Sequence, residues 1–167
     1  MDLYLLRHAI AFERGKEWSG HDADRPLTKE GAKKMRRIAK AMRDLDLSFD
    51  LILSSPFRRA KETAEIVAGS FDCANRLKFS SHLKVGGSPV ALMKEIIAHH
   101  GKLGSILLVG HEPYLSSLIS VLVSGKENLS ITLKTGGLCK LTVESLHHGR
   151  CATLEWIIGP AQILGRD

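Results

Sequence analysis

The sequence predicts a three-layer α/β/α sandwich around a mostly parallel central sheet, and three observations carry that prediction. Leu3-Tyr4-Leu5-Leu6 and Ser105–Val109 are apolar without alternation, as strands buried on both faces are. Segments with helical apolar spacing separate such runs, so strand and helix alternate along the chain. The runs also end abruptly in polar chemistry, at Arg7-His8, at Ser54-Ser55-Pro56 and at Gly110-His111. In open α/β sheets ligands bind beyond the carboxyl ends of the strands, and these residues would stand there.

The first strand leads into a polar loop, Ala9 to Asp24, long for a βα connection and therefore expected to be functional or mobile. Trp18 within it reads as a packing anchor in preference to a substrate contact. Thr28 is a good N-cap, and Met35, Ile38, Ala39, Met42 and Leu45 follow at helical spacing. Lys33, Lys34, Arg36, Arg37, Lys40 and Arg43 take the other side of that amphipathic helix.

Phe49 to Leu53 reads as the second strand, and Pro56 stands near the start of the next helix, with Ala60, Thr63, Ala64 and Val67 on one side. Arg58 and Arg59 fall in its first turn, where cations oppose the helix dipole unless an anion binds. Leu77 to Ser80 reads as a short third strand. Ser88 and Pro89 open a helix expected to turn Val90, Met93, Ile96 and Ile97 inward. After the fourth strand, Ser105 to Val109, the chain is helical from Tyr114, with Leu115, Leu118, Ile119 and Leu122 on the core face. Two closing strands, about Leu138–Glu144 and Cys151–Ile158, are expected to pair antiparallel through a His147-His148-Gly149 turn.

Composition bounds the function classes. A chain of 167 residues with 44% hydrophobic and 25% charged residues suits one domain, 1–167, with a proper core. Its 24 Lys+Arg against 18 Asp+Glu give a net charge of +6, which favours anionic partners. No aromatic residues interleave with the basic residues of Lys29–Arg43 to stack bases, so a nucleic-acid partner is not expected. Cys73, Cys139 and Cys151 are odd in number and lack metal-ligand spacing, as in a reducing compartment. No apolar run reaches the roughly 18 residues of a membrane span, and the first strand begins at once. A cytoplasmic location with no membrane partner is expected.

Three strand ends therefore bring Arg7-His8, Arg58-Arg59 and His111 to one edge of the sheet. Planar guanidinium forks suit phosphate, and histidine can serve as a nucleophile that splits one displacement into two. At this point the chain resembles the histidine phosphatase superfamily, also called phosphoglycerate-mutase-like, and within it the small SixA-type phosphohistidine phosphatases. The resemblance rests on Arg7-His8-Ala9, on D-x-x-R-P-L-T at Asp22–Thr28, on S-S-P-x-x-R-A-x-x-T at Ser54–Thr63 and on G-H-x-P at Gly110–Pro113. It implies that His8 is the phosphorylated nucleophile and that Arg7, Arg59 and His111 form the phosphate pocket. Arg58 takes a supporting electrostatic role in that scheme. Arg25 binds or steers substrate, or instead holds the helix start.

The resemblance further implies no metal or other cofactor. It points to a phosphorylated protein as partner, of the histidine-phosphotransfer kind, or to a small phosphate ester. Many superfamily members carry a Glu or Asp general acid after the third strand, but here Val85 of Leu83-Lys84-Val85 stands in its place. If an acid acts from elsewhere, Asp22, Asp24 and Glu112 are the candidates at the expected pocket rim. A small-molecule phosphomonoesterase and a phospho-binding module without turnover are the competing readings.

Overall fold

The computed structural model describes residues 1–165 and has six strands in one sheet. They are β1 (Asp2–Arg7), β2 (Leu51–Ser54), β3 (Leu77–Phe79), β4 (Ser105–Gly110), β5 (Leu138–Val143) and β6 (Ala152–Ile158). Their order across the sheet is β3-β2-β4-β1-β5-β6. The first four in that order run parallel; β5 pairs antiparallel with β1, and β6 closes the edge antiparallel to β5.

The unalternating apolar runs have a direct cause in this arrangement, because successive side chains of a strand point to opposite faces. Leu3, Leu5, Leu51, Leu53, Ile106 and Leu108 enter one core, beneath α3 (Pro89–His100) and α4 (Tyr114–Ser124). Tyr4, Leu6, Ile52, Leu107 and Val109 enter the other, beneath α1 (Lys29–Asp44) and α2 (Arg58–Ser70). With both faces covered, Leu3–Leu6, Leu51–Ser54 and Ile106–Gly110 are all buried. A short α5 (Pro160–Ile163) packs on α1.

Most helix phases follow the spacing of the apolar residues. Thr28 caps α1, its Oγ1 accepting the Gly31 N–H at 2.9 Å, and Met35, Ile38, Ala39 and Met42 are buried below it. Ser88 caps α3 in the same way through the Ala91 N–H.

Three residues expected in the core lie outside it. Leu45 sits beyond the last turn of α1 and is 53% exposed. Val90 and Ile97 face solvent while Leu92, Met93 and Ile96 turn inward. The apolar residues of α3 run nearly all round the helix, so spacing alone leaves its phase open. The strand limits also move: Phe49 precedes β2, packing edge-on against Tyr4 with ring centroids 5.3 Å apart.

The sheet order decides where a site can form. The chain passes from β1 through α1 to β2, leaving a gap that β4 later fills. In register, Arg7 lies beside Gly110 and Ser54 beside Val109. The carboxyl ends of β2, β4 and β1 are thus immediate neighbours at a point where the strand order reverses.

Candidate active site

His8 follows the last residue of β1 and stays tied to the sheet, its N–H donating to the Gly110 carbonyl at 3.0 Å. Its ring is 7% exposed. Nδ1 lies 2.7 Å from the Ala9 carbonyl oxygen; since a carbonyl only accepts, Nδ1 carries the proton and Nε2 keeps its lone pair. Arg59 Nε donates toward that Nε2 at 3.3 Å. Burial lowers the pKa of His8 to about 4, against the pull of the Ala9 carbonyl and with help from Arg59, Arg7 and Arg25. Near pH 7 the ring is therefore neutral, with Nε2 unprotonated and facing Arg59.

Arg59 stands in the first turn of α2 and is 3% exposed. Its Nη1 and Nη2 donate to the Asp22 carbonyl oxygen at 2.8 Å and carboxylate at 3.1 Å, which aims its Nε at His8. Arg7 donates from Nη1 to the Leu133 carbonyl at 3.0 Å, while its Nε is buried without a partner among the described residues. His111 follows β4, with its ring centroid 5.3 Å from that of His8. Burial, then Arg59 and His8, lower its pKa to about 3.

The Nε2 of His111 lies 2.8 Å from Ser55 Oγ. That hydroxyl also accepts the Phe57 N–H. His111 Nδ1 is buried with no partner among the described residues, and in the tautomer whose Nε2 accepts the Ser55 proton it carries the outward N–H. Orphaned donors of this kind cost about 1–3 kcal/mol each, which an anion accepting from both Arg7 and His111 would recover.

Arg7, His8, Arg59 and His111 are thus brought together, and Arg25 joins them at one remove. It donates from Nε to Asp22 Oδ1 at 3.1 Å and from Nη1 to the Phe12 carbonyl at 2.9 Å, holding the loop that braces Arg59. Arg58 points elsewhere; it is half exposed and pairs with Glu62 at 2.8 Å. Neighbouring helical residues diverge by 100°, so only one of the two arginines can face the strand ends.

The three carboxylates at the rim differ. Burial would raise the pKa of Asp22, but Arg59 and Arg25 outweigh it and hold the group below the usual carboxylate range. Asp22 is an anion that positions arginines and is unsuited to donating a proton. Asp24 is exposed. Glu112 accepts the Ser116 N–H at 3.3 Å and the Ser116 hydroxyl through Oε2, while its Oε1 is buried without a partner among the described residues. A cleft of about 250 Å³ runs from His111 past Glu112 and Tyr114 to Val85 and Gly87. Val85 is exposed there and offers no proton.

Trp18 behaves as an anchor, donating from its indole N–H to the His21 carbonyl at 3.0 Å within the loop.

Several supporting residues were invisible in the sequence as site residues. Thr63 Oγ1 accepts the Ala9 N–H at 3.0 Å and donates to the Arg59 carbonyl at 2.7 Å, riveting α2 to the end of β1. Phe57 lies between Arg59, whose Cζ is 5.5 Å from the ring centroid, and His111, whose ring centroid is 5.4 Å away. Gly136, at a positive φ of 73°, donates to the Arg7 and His8 carbonyls. The S-S-P-x-x-R-A-x-x-T spacing already held Ser55 and Thr63; Leu133 and Gly136 left no signal beyond a glycine pair before the fifth strand.

A neutral histidine with an unprotonated ring nitrogen, enclosed by two guanidinium groups and a second imidazole at adjoining strand ends, gives this α/β protein a pocket that can hold an anion against a nucleophile. The chain belongs to the histidine phosphatase superfamily: the description "Histidine phosphatase superfamily (branch 1)" matches residues 3–84. An uncharacterized protein of Picosynechococcus sp. is 31% identical, over 84% of each chain. The phosphohistidine phosphatase SixA of Escherichia coli is 24% identical, over 98% of this chain and 96% of its own.

Among solved structures, the protein histidine phosphatase SixA complexed with tungstate superposes with a TM-score of 0.82 at 23% identity, covering 98% of this chain and 99% of that one. A phosphoserine phosphatase mutant from Entamoeba histolytica, in complex with phosphoserine, superposes at 0.72 and 18% identity, covering 98% of both chains. The fold is that of the SixA-type phosphoglycerate-mutase-like proteins. Among the described residues no helix is long and apolar enough to cross a membrane.

Proposed function

We propose that this protein is a phosphatase that removes phosphate from phosphohistidine on other proteins, through a phosphorylated His8. The observation that carries the reading is the state of His8: neutral, proton-bearing at Nδ1, and unprotonated at Nε2, which faces Arg59 inside a cationic pocket. In the first step Nε2 attacks phosphorus, and the bond to the leaving group breaks with its electron pair. Arg7, Arg59 and His111 receive the charge on the equatorial oxygens. Water then attacks the phospho-His8 phosphorus, Nε2 recovers its electron pair, and orthophosphate leaves.

The leaving group favours phosphohistidine over an alkyl ester. An alkoxide oxygen has a conjugate acid with a pKa of roughly 15, near that of water, and normally needs a positioned acid worth roughly 10²–10⁴-fold. An imidazole leaves as a base with a conjugate acid pKa of about 6.5, and Val85 supplies no acid. The full-length similarity to SixA supports the same substrate class.

Rapid mixing with labelled phosphohistidine peptide, followed by alkaline quenching, should trap a base-stable, acid-labile phosphoenzyme in the wild type. His8→Ala should yield none and lose turnover. Undiminished turnover in His8→Ala would remove the covalent mechanism. A clear preference for phosphoserine or sugar phosphates would make the protein a small-molecule phosphomonoesterase, and tight phosphate binding with no turnover a phospho-binding module.

A further inference from the structure

Resting on that reading, we infer that Glu112 recognises the leaving group: its free carboxylate oxygen accepts the N–H of the phosphorylated imidazole and keeps that ring protonated while the P–N bond breaks. Two independent observations point there. The first is the division of labour within the carboxylate. Oε2 caps the first turn of α4 through Ser116, and this needs one oxygen only, yet Oε1 is also buried and has no partner among the described residues.

The second is the separation of charge around the site. Arg7, Arg59 and, behind Asp22, Arg25 stand on the phosphate side. Among the described residues, no lysine or arginine lines the cleft that continues from His111, and the two charged residues there are Glu112 and Glu127. A site that is cationic at one end and anionic at the other matches a ligand of the opposite polarity. Phosphoimidazolium has that polarity, with a phosphoryl anion on one nitrogen and a protonated nitrogen across the ring. Phosphoserine and sugar phosphates carry no such cation beside the ester. At about 250 Å³ the cleft exceeds the roughly 30 Å³ share of a water several-fold and admits a five-membered ring.

The step balances. His8 enters neutral and the substrate ring enters protonated on its unphosphorylated nitrogen, facing Oε1. The His8 Nε2–P bond forms and the substrate N–P bond breaks, its electron pair going to that nitrogen. The substrate departs as neutral imidazole because its other nitrogen keeps the proton. Phospho-His8 carries the positive charge, with its Nδ1–H on the Ala9 carbonyl. Without the ring proton the leaving group would be imidazolate, a far stronger base.

The test compares kcat/KM on a phosphohistidine peptide and on 4-nitrophenyl phosphate, whose leaving group has no N–H, in wild type, Glu112→Gln and Glu112→Asp. Gln keeps an acceptor for Ser116 and the side-chain length but loses the charge. The phosphohistidine-to-aryl ratio should fall about 10- to 100-fold in Glu112→Gln, the worth of one hydrogen bond to a charged group. Asp, which keeps the charge, should hold the ratio above that of Gln. Equal losses on both substrates would reduce Glu112 to a helix cap and overturn the inference, as would an unchanged ratio or an Asp variant below Gln. A wild type that cleaves the aryl ester but no phosphohistidine would overturn the functional reading itself.

Discussion

The acid side of the pH profile gives the sharpest check on the site, because an ordinary histidine and the buried His8 differ there by a large factor. With a pKa of about 4, His8 is still about 97% neutral at pH 5.5, whereas an imidazole at 6.5 would be about 9% neutral. His8 Nε2 should therefore lose its lone pair only below pH 5.

The same burial bears on stability. The native state resists protonating His8, so the unfolded chain binds the proton first as the pH falls, and native stability drops. The gap between 6.5 and about 4, at about 1.36 kcal/mol per pH unit, amounts to about 3.4 kcal/mol. That stability is intact above pH 6.5 and lost progressively down to pH 4.

Two measurements follow. The ring nitrogens of His8, assigned by comparison with His8→Asn, can be titrated by NMR between pH 7.5 and 3.5. Urea denaturation of both proteins at pH 7 and pH 4.5 should show the wild type losing about 2–3 kcal/mol more than His8→Asn over that interval. A His8 midpoint at or above 6.5, or identical acid losses in the two proteins, would refute the buried, neutral nucleophile.

Other expectations follow from the contacts. Arg7→Ala and Arg59→Ala should each lower kcat by roughly two to three orders of magnitude in steady-state assays, as for one oxyanion donor. The double variant should lose less than the sum, because both groups would serve one phosphoryl group. Thr63→Val strands the Ala9 N–H inside the protein and should destabilise it by about 1–3 kcal/mol in urea denaturation. Across a series of aryl and alkyl phosphates the rate should fall steeply as leaving-group pKa rises, since Val85 supplies no proton; a flat series would mean that a general acid acts from the rim.

Much of this protein was legible in its residues. A strand buried on both faces must be apolar throughout, so its end is marked by the first polar residue, and Arg7-His8 and His111 stood out for that reason. Helix starts were legible where Thr28 and Ser88 cap the chain locally. The family motifs selected Arg59 over Arg58, a choice the structure explains by the 100° turn between them.

What needed the tertiary structure was every feature that depends on a distant partner. The phase of α3 is one, because a helix apolar nearly all round takes its orientation from the sheet it lands on. The proton position on His8 is another, since it is set by the Ala9 carbonyl 2.7 Å away. Asp22 looked like a possible acid in the sequence, and only its contacts with Arg59 and Arg25 make it a permanent anion. The insertion of β4 between β1 and β2 decided the rest. Local spacing carries no record of strand order, yet that order is what sets two histidine rings 5.3 Å apart across 103 residues of chain.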